Sequence, residues 1–143
     1  MASVYFLGTD MIRVNADEIE LGDDYVYRLE GKPFTGIGFE LNNADQLLSE
    51  IEFENGMKNG FSREWSRDGA LVFEHEYKNN TRHGRQAEWE DGELQTEEEF
   101  EHGICVRRKT WSEGKIVNEF VIDEVDPQFK LLESLRVAVG ESS

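Results

Sequence analysis

The sequence predicts an all-β fold, an antiparallel meander of repeated β-hairpins forming an elongated twisted sheet, with a short C-terminal capping helix. Three observations predict it. Glycines Gly36, Gly60 and Gly84 fall two steps of 24 residues apart, and an aromatic or aliphatic residue follows each at one offset (Leu41, Trp65, Trp89). Between them run segments of alternating apolar and polar residues broken by Gly/Asn turns, the mark of half-buried strands rather than helices. After Ile122 the pattern changes, and Asp126–Pro127 precedes apolar residues at helical spacing.

The elements follow in order. Residues 1–27 hold apolar residues at Val4–Leu7 and Tyr25–Tyr27, enough for a strand or two that cap the first repeat. Residues 28–122 hold about four hairpins. Their first turns are Asn42–Gln46, Ser66–Ala70, Glu90–Glu93 and Ser112–Lys115, with Trp111 standing for the tryptophan of the shortened fourth unit. Leu47, Leu71, Leu94 and Ile116 follow, and the units close on Phe53, Tyr77, Phe100 and Ile122. Turn glycines and asparagines supply positive φ at low cost. Over residues 126–139, Asp126 as N-cap and Pro127 at the first helical position predict a helix that buries Phe129, Leu132, Leu135 and Val139. Gly140–Ser143 reads as a frayed tail. The whole is read as a single domain.

Simple alternation sorts the repeats onto two faces. One would be apolar, with Ile37, Phe39 and Leu41, then Leu47, Ile51 and Phe53, then Phe61, Trp65, Phe73 and Tyr77, and their counterparts Ala87, Trp89, Phe100, Trp111 and Phe120. The other would be acidic, stacking Glu50, Glu52, Glu74, Glu76, Glu97 and Glu99, with Glu64 and Glu88 beside them. A register slip or bulge swaps sides locally. Like charges facing one another across strands cost roughly 0.2–1 kcal/mol each, so such a stack calls for a cationic partner that relieves the repulsion.

Composition points the same way. The 143 residues carry 31 Asp+Glu against 15 Lys+Arg, a net charge of −16. Such a surface repels nucleic acid and anionic lipid and speeds encounter with basic proteins. Cys105 is the only cysteine, which excludes an internal disulfide and suits a reducing compartment. The N-terminus lacks a basic region followed by a long apolar run, and no segment approaches about 18 apolar residues, so a soluble cytoplasmic protein is expected.

Catalytic chemistry is not legible. His75, His83 and His102 do not sit at metal-ligand spacing. His75, between Phe73 and Tyr77, reads as a packed side chain, and His83 and His102 as solvated turn residues. Arg107 and Arg108 beside Cys105 would lower its pKa. No phosphate loop is present, and an open acidic sheet offers no cleft to separate the pKa values of a carboxylate pair. No enzyme activity, cofactor or metal is expected.

The pattern Gly-x-x-x-x-Trp, turn Gly, Leu, Glu-x-x-Tyr, carried by Gly60, Trp65, Gly69, Leu71, Glu74 and Tyr77 and again by Gly84, Trp89, Gly92, Leu94, Glu97 and Phe100, resembles the MORN-variant repeat of bacterial YwqK-type antitoxin and immunity proteins. The resemblance covers about residues 25–122. Asn80 departs from it at a turn glycine, Leu41 at the tryptophan and Arg107 at the leading glycine. It implies stacked hairpins and an antitoxin or immunity role. With the charge, it predicts a protein that occludes a basic toxin domain, a nuclease or deaminase, through the eight acids Glu50, Glu52, Glu64, Glu74, Glu76, Glu88, Glu97 and Glu99. The alternative is a repeat scaffold for protein–protein interaction or self-association.

Overall fold

The computed structural model describes residues 4–6 and 11–141; Leu7 of the first expected strand and Ser142 and Ser143 of the expected tail lie outside the described residues. The strands are β1 (Val4–Phe6), β2 (Ile12–Asn15), β3 (Ile19–Leu21), β4 (Tyr27–Leu29), β5 (Lys32–Pro33), β6 (Gly36–Leu41), β7 (Leu47–Glu54), β8 (Met57–Trp65), β9 (Leu71–Lys78), β10 (Thr81–Glu90), β11 (Glu93–Glu101), β12 (Ile104–Ser112) and β13 (Lys115–Val121). One helix, α1, spans Phe129–Ala138. From β6 to β13 consecutive strands pair antiparallel, which is the expected meander. The N-terminal strands do more than cap. β1 and β2 extend the sheet, β2 running parallel to β6, while β3, β4 and β5 form a separate small sheet.

Tight turns join the long strands, with both central residues at positive φ in pairs such as Asn55–Gly56 and Asp91–Gly92, the twist that suits a hairpin. Asn79–Asn80 manages the same turn without glycine, at φ 49° and 67°. The Asn80 side chain compensates: its Oδ1 accepts from the Lys58 amide at 2.8 Å, and its Nδ2 donates to the Tyr25 carbonyl at 2.9 Å. The missing glycine has become a tie between turns.

The expected sorting of faces is overturned, and the reason is one residue per hairpin. Next to the turns Leu41 faces Leu47, Trp65 faces Leu71, Trp89 faces Leu94 and Trp111 faces Ile116. One step further in, Glu40 faces Ser49, Glu64 faces Phe73, Glu88 faces Thr96 and Thr110 faces Asn118. The returning strand has one residue more than its partner at that step, a β-bulge that flips its phase. Residues directly opposite share a face. Phe39, Glu50, Arg63, Glu74, Ala87, Glu97, Lys109 and Glu119 therefore form one row, on the face that also carries Phe61 and Trp65. Ile51, Ser62, His75, Gln86, Glu98, Arg108 and Phe120 form a row on the other, together with Phe53, Phe73 and Tyr77. We call these the ladder face and the back face.

Two caps cover opposite faces at opposite ends. On the back face, Val14, Phe34 and Phe53 are buried together, with Ile12, Ile19, Tyr27, Leu29 and Ile51 packed around them. Gly38 lets this cap approach: a Cβ there would lie 2.7 Å from Ile19 Cδ1. On the ladder face, α1 seats Leu132 against Ile104 and Val106, with Ile122 and Leu135 alongside. The helix starts at Phe129, later than the Asp126–Pro127 signal. Asp126 closes a preceding turn instead, accepting from the Gln128 amide on its side chain and from the Phe129 amide on its carbonyl. Val139, expected in the buried stripe, is exposed. Glu141, expected to fray, donates its amide to the Arg136 carbonyl at 2.7 Å.

Candidate partner-binding faces

Strands β2, β8 and β10 place arginines beside the glutamates of the hairpins' second strands. Arg13 Nη2 lies 2.8 Å from Glu50, Arg63 Nε 2.7 Å from Glu74, and Arg85 Nη2 2.7 Å from Glu97, with Arg85 Nη1 also 3.7 Å from Glu74. The expected uncompensated stack of like charges is thus corrected to an alternation of acid and base. Each partly exposed pair contributes about 0.2–1 kcal/mol, so the ladder does not strain the sheet. Glu74 has a side chain only 20% exposed, and Glu50, Glu52, Glu76 and Glu97 are all half-buried, whereas Glu99 is exposed.

Glu52 and Glu76 are held by a device that sequence reasoning missed. The Phe61 amide donates to Glu52 Oε2 at 2.5 Å. Gly84, at φ 98°, leaves room for Glu76, whose Cδ would lie 2.7 Å from a Cβ built there. The signal was available: a glutamate eight residues before a repeat glycine, in Glu52–Gly60 and Glu76–Gly84. In the next unit Arg107 stands opposite Glu99, and no glycine cradles that carboxylate.

The bulges carry Glu64 and Glu88 to the back face, away from the ladder they were expected to join. They flank Phe73, Glu64 on β8 and Glu88 on β10, and both are exposed. Among the described residues no lysine or arginine pairs with Glu64, Glu88 or Glu99; Glu88 lies 3.6 Å from His75 Nε2. His75 is packed, as expected: it is 7% exposed and stacks on Phe73 with ring centroids 4.5 Å apart. Burial, seconded by the positive charge of Arg82, holds its pKa below the ordinary histidine value, against the pull of Glu88 and Glu98. Next to it Gln86, 1% exposed, donates Nε2 to the Glu76 carbonyl at 2.9 Å.

Two further expectations change. Burial and the neighbouring Glu98 carboxylate push the Cys105 thiol up, outweighing Arg108; Arg108 is itself engaged with Glu98 at 2.8 Å. A raised thiol is a poor nucleophile at neutral pH. His83 and His102 are not free turn residues: the His102 amide donates to His83 Nδ1 at 3.0 Å, the rings stand 4.9 Å apart, and His102 Nε2 is 3.2 Å from Glu141.

Trp65, Trp89 and Trp111 line the turn edge of the ladder face, each half-buried. A shallow groove between successive turns is lined by Leu71, Val72 and Trp89 with Arg67, Asp68 and Asp91, an apolar floor with charged walls. Among the described residues no cluster of three His, Cys, Asp or Glu side chains is placed to hold a metal ion, and no helix is long and apolar enough to cross a membrane.

No family model matches the chain, and no solved structure does. The chain is similar to the Bacillus subtilis (strain 168) protein named Immunity protein YwqK, with 37% identity over 108 residues that span 74% of this chain and 70% of that one. An identity of that level over that share of both sequences establishes common descent, and the chain belongs to the YwqK immunity-protein family.

Proposed function

We propose that this protein is an immunity-type inhibitor that binds a basic toxin domain, of the nuclease or deaminase kind, and occludes its active site without catalysing a reaction. The observation that carries this reading is the relationship to a protein named as an immunity protein. The charge of −16 supports a basic partner, because a strongly acidic surface steers cationic proteins toward itself. The eight candidate acids take different parts. Glu64, Glu88 and Glu99 are exposed and engage no arginine or lysine of the described chain, so they meet the partner's cations first. Glu50, Glu52, Glu74, Glu76 and Glu97 contact it by exchanging or sharing their internal partners. The tryptophan edge supplies apolar anchors. The protein acts in the cytoplasm, where a sole cysteine stays reduced, and its hairpins are of the MORN-variant type.

The test is capture from the source cell's lysate, with the retained protein identified by mass and then expressed alone and with this chain. One basic protein, released by salt, toxic alone and harmless when co-expressed, is the expected result. A captured protein that is not toxic, or whose toxicity persists on co-expression, overturns the reading.

A further inference from the structure

The row across the ladder face breaks its own rule at one place. Glu50 lies between Phe39 and Arg63, Glu74 between Arg63 and Ala87, and Glu97 between Ala87 and Lys109. Glu119 faces Lys109 on one side, and on the other no strand pairs with β13 among the described residues. By alternation Val121 shares its face, and the bulge residue Val117 lies two positions before Glu119; the two valines are 65% and 61% exposed. The strand runs seven residues without proline. Its outer edge keeps the unpaired amide and carbonyl groups that template a further strand. The helix does not close it, because α1 packs on Ile104, Val106 and Ile122.

We propose that the outer edge of β13 receives an extended strand of a basic partner protein, antiparallel, with an arginine or lysine opposite Glu119 and apolar residues opposite Val117 and Val121. This rests on the reading of a basic partner given above. A second copy of the chain fits less well, since the register that sets Val117 against Val121 sets Glu119 against Glu119, and like charges directly opposite destabilise a sheet. A cation there instead extends the alternation that the sheet uses internally. It would sit about 5 Å from Glu119 and about 10 Å from Lys109, at one and two strand spacings, so attraction exceeds repulsion. Main-chain bonds then give affinity and the alternate side chains give choice, as in other strand additions.

The probe is a seven-residue peptide alternating threonine with valine, arginine and valine, titrated into the isotope-labelled full chain, with a glutamate-for-arginine peptide as control. The expected result is backbone amide shifts confined to residues 115–121 and roughly tenfold tighter binding of the arginine peptide, a preference that Glu119→Lys reverses. Absence of shifts in β13 up to millimolar peptide, shifts centred elsewhere, or a preference indifferent to Glu119→Lys overturns the proposal. A captured basic toxin that binds the Glu119→Lys chain undiminished overturns the edge alone. Specific peptide binding together with a captured protein that is not toxic overturns the immunity reading alone.

Discussion

At the scale of single residues, the back face turns on His75. Its ring is stacked on Phe73, buried, and held below the ordinary histidine pKa chiefly by desolvation. The unfolded chain binds a proton there at a pH where the folded chain does not, so protonation favours unfolding. The contribution is absent above the ordinary histidine value near 6.5, and stability falls as the pH drops below it toward the lowered folded value. A His75→Gln variant, which keeps a polar group beside Gln86 and Ser62 but cannot titrate, is expected to lose that acid-side decline. Urea midpoints at pH 7.5 and pH 5.5 check this. Wild type should lose more stability than the variant between them, and equal losses would mean His75 is not the group responsible. The packed character of His75 was readable from its apolar neighbours. The places of His83 and His102 were not, because their contact depends on two turns, nineteen residues apart, lying side by side.

Among the elements, the hairpins were legible and their faces were not. Glycines, asparagines and aromatics recur at fixed offsets because each turn needs positive φ and each strand needs one packed side chain. The bulge left no such mark. The extra residues are ordinary strand residues, the aliphatic Leu48, Val72 and Val117 and the polar Gln95, and the phase flip emerges only from which backbone groups pair. The place of β2 in the large sheet was hidden for a related reason, since its parallel pairing with β6 joins segments separated by the whole small sheet. The helix was legible as a stop signal and an apolar stripe, although only Leu132 is fully buried. It is fastened twice, by Leu132 and by Arg136, whose Nε and Nη2 donate to the two oxygens of Glu101 at 2.7 and 2.8 Å. Leu132→Ala should cost about 2–5 kcal/mol, and Arg136→Ala, a partly exposed pair, about 1 kcal/mol or less. Arg136 also lowers the Glu101 pKa, first through these hydrogen bonds. Its contribution is therefore full above the ordinary carboxylate range and vanishes as acid protonates Glu101. The two curves should begin to converge as the pH falls below the ordinary glutamate value and meet only below the lowered folded value. A gap of the same size at pH 3 and pH 7 would show that Arg136 acts by packing alone.

For the molecule as a whole, the distribution of paired and unpaired acid matters more than the net charge of −16. A carboxylate held 2.7 Å from a guanidinium contributes little field at a distance, because the pair is nearly neutral to an approaching body. An exposed carboxylate without a cation contributes its full charge within a Debye length of about 8–10 Å. The ladder, conspicuous in the sequence, therefore sets strand against strand within the sheet, and under the proposed binding of a basic partner the steering would fall to acids such as Glu64 and Glu88. Two double variants separate these roles once a basic partner is in hand. Glu64→Lys with Glu88→Lys is expected to slow association roughly tenfold at low salt and to flatten its salt dependence, with thermal stability nearly unchanged. Glu74→Gln with Glu97→Gln should leave the association rate within about twofold but lower stability, since Arg63 and Arg85 lose the carboxylates they engage. Stopped-flow association at several salt concentrations, read beside melting curves, decides it. If the Glu74/Glu97 variant slows encounter as much as the Glu64/Glu88 variant does, the ladder projects its charge outward despite its arginines, and the partner approaches the ladder face.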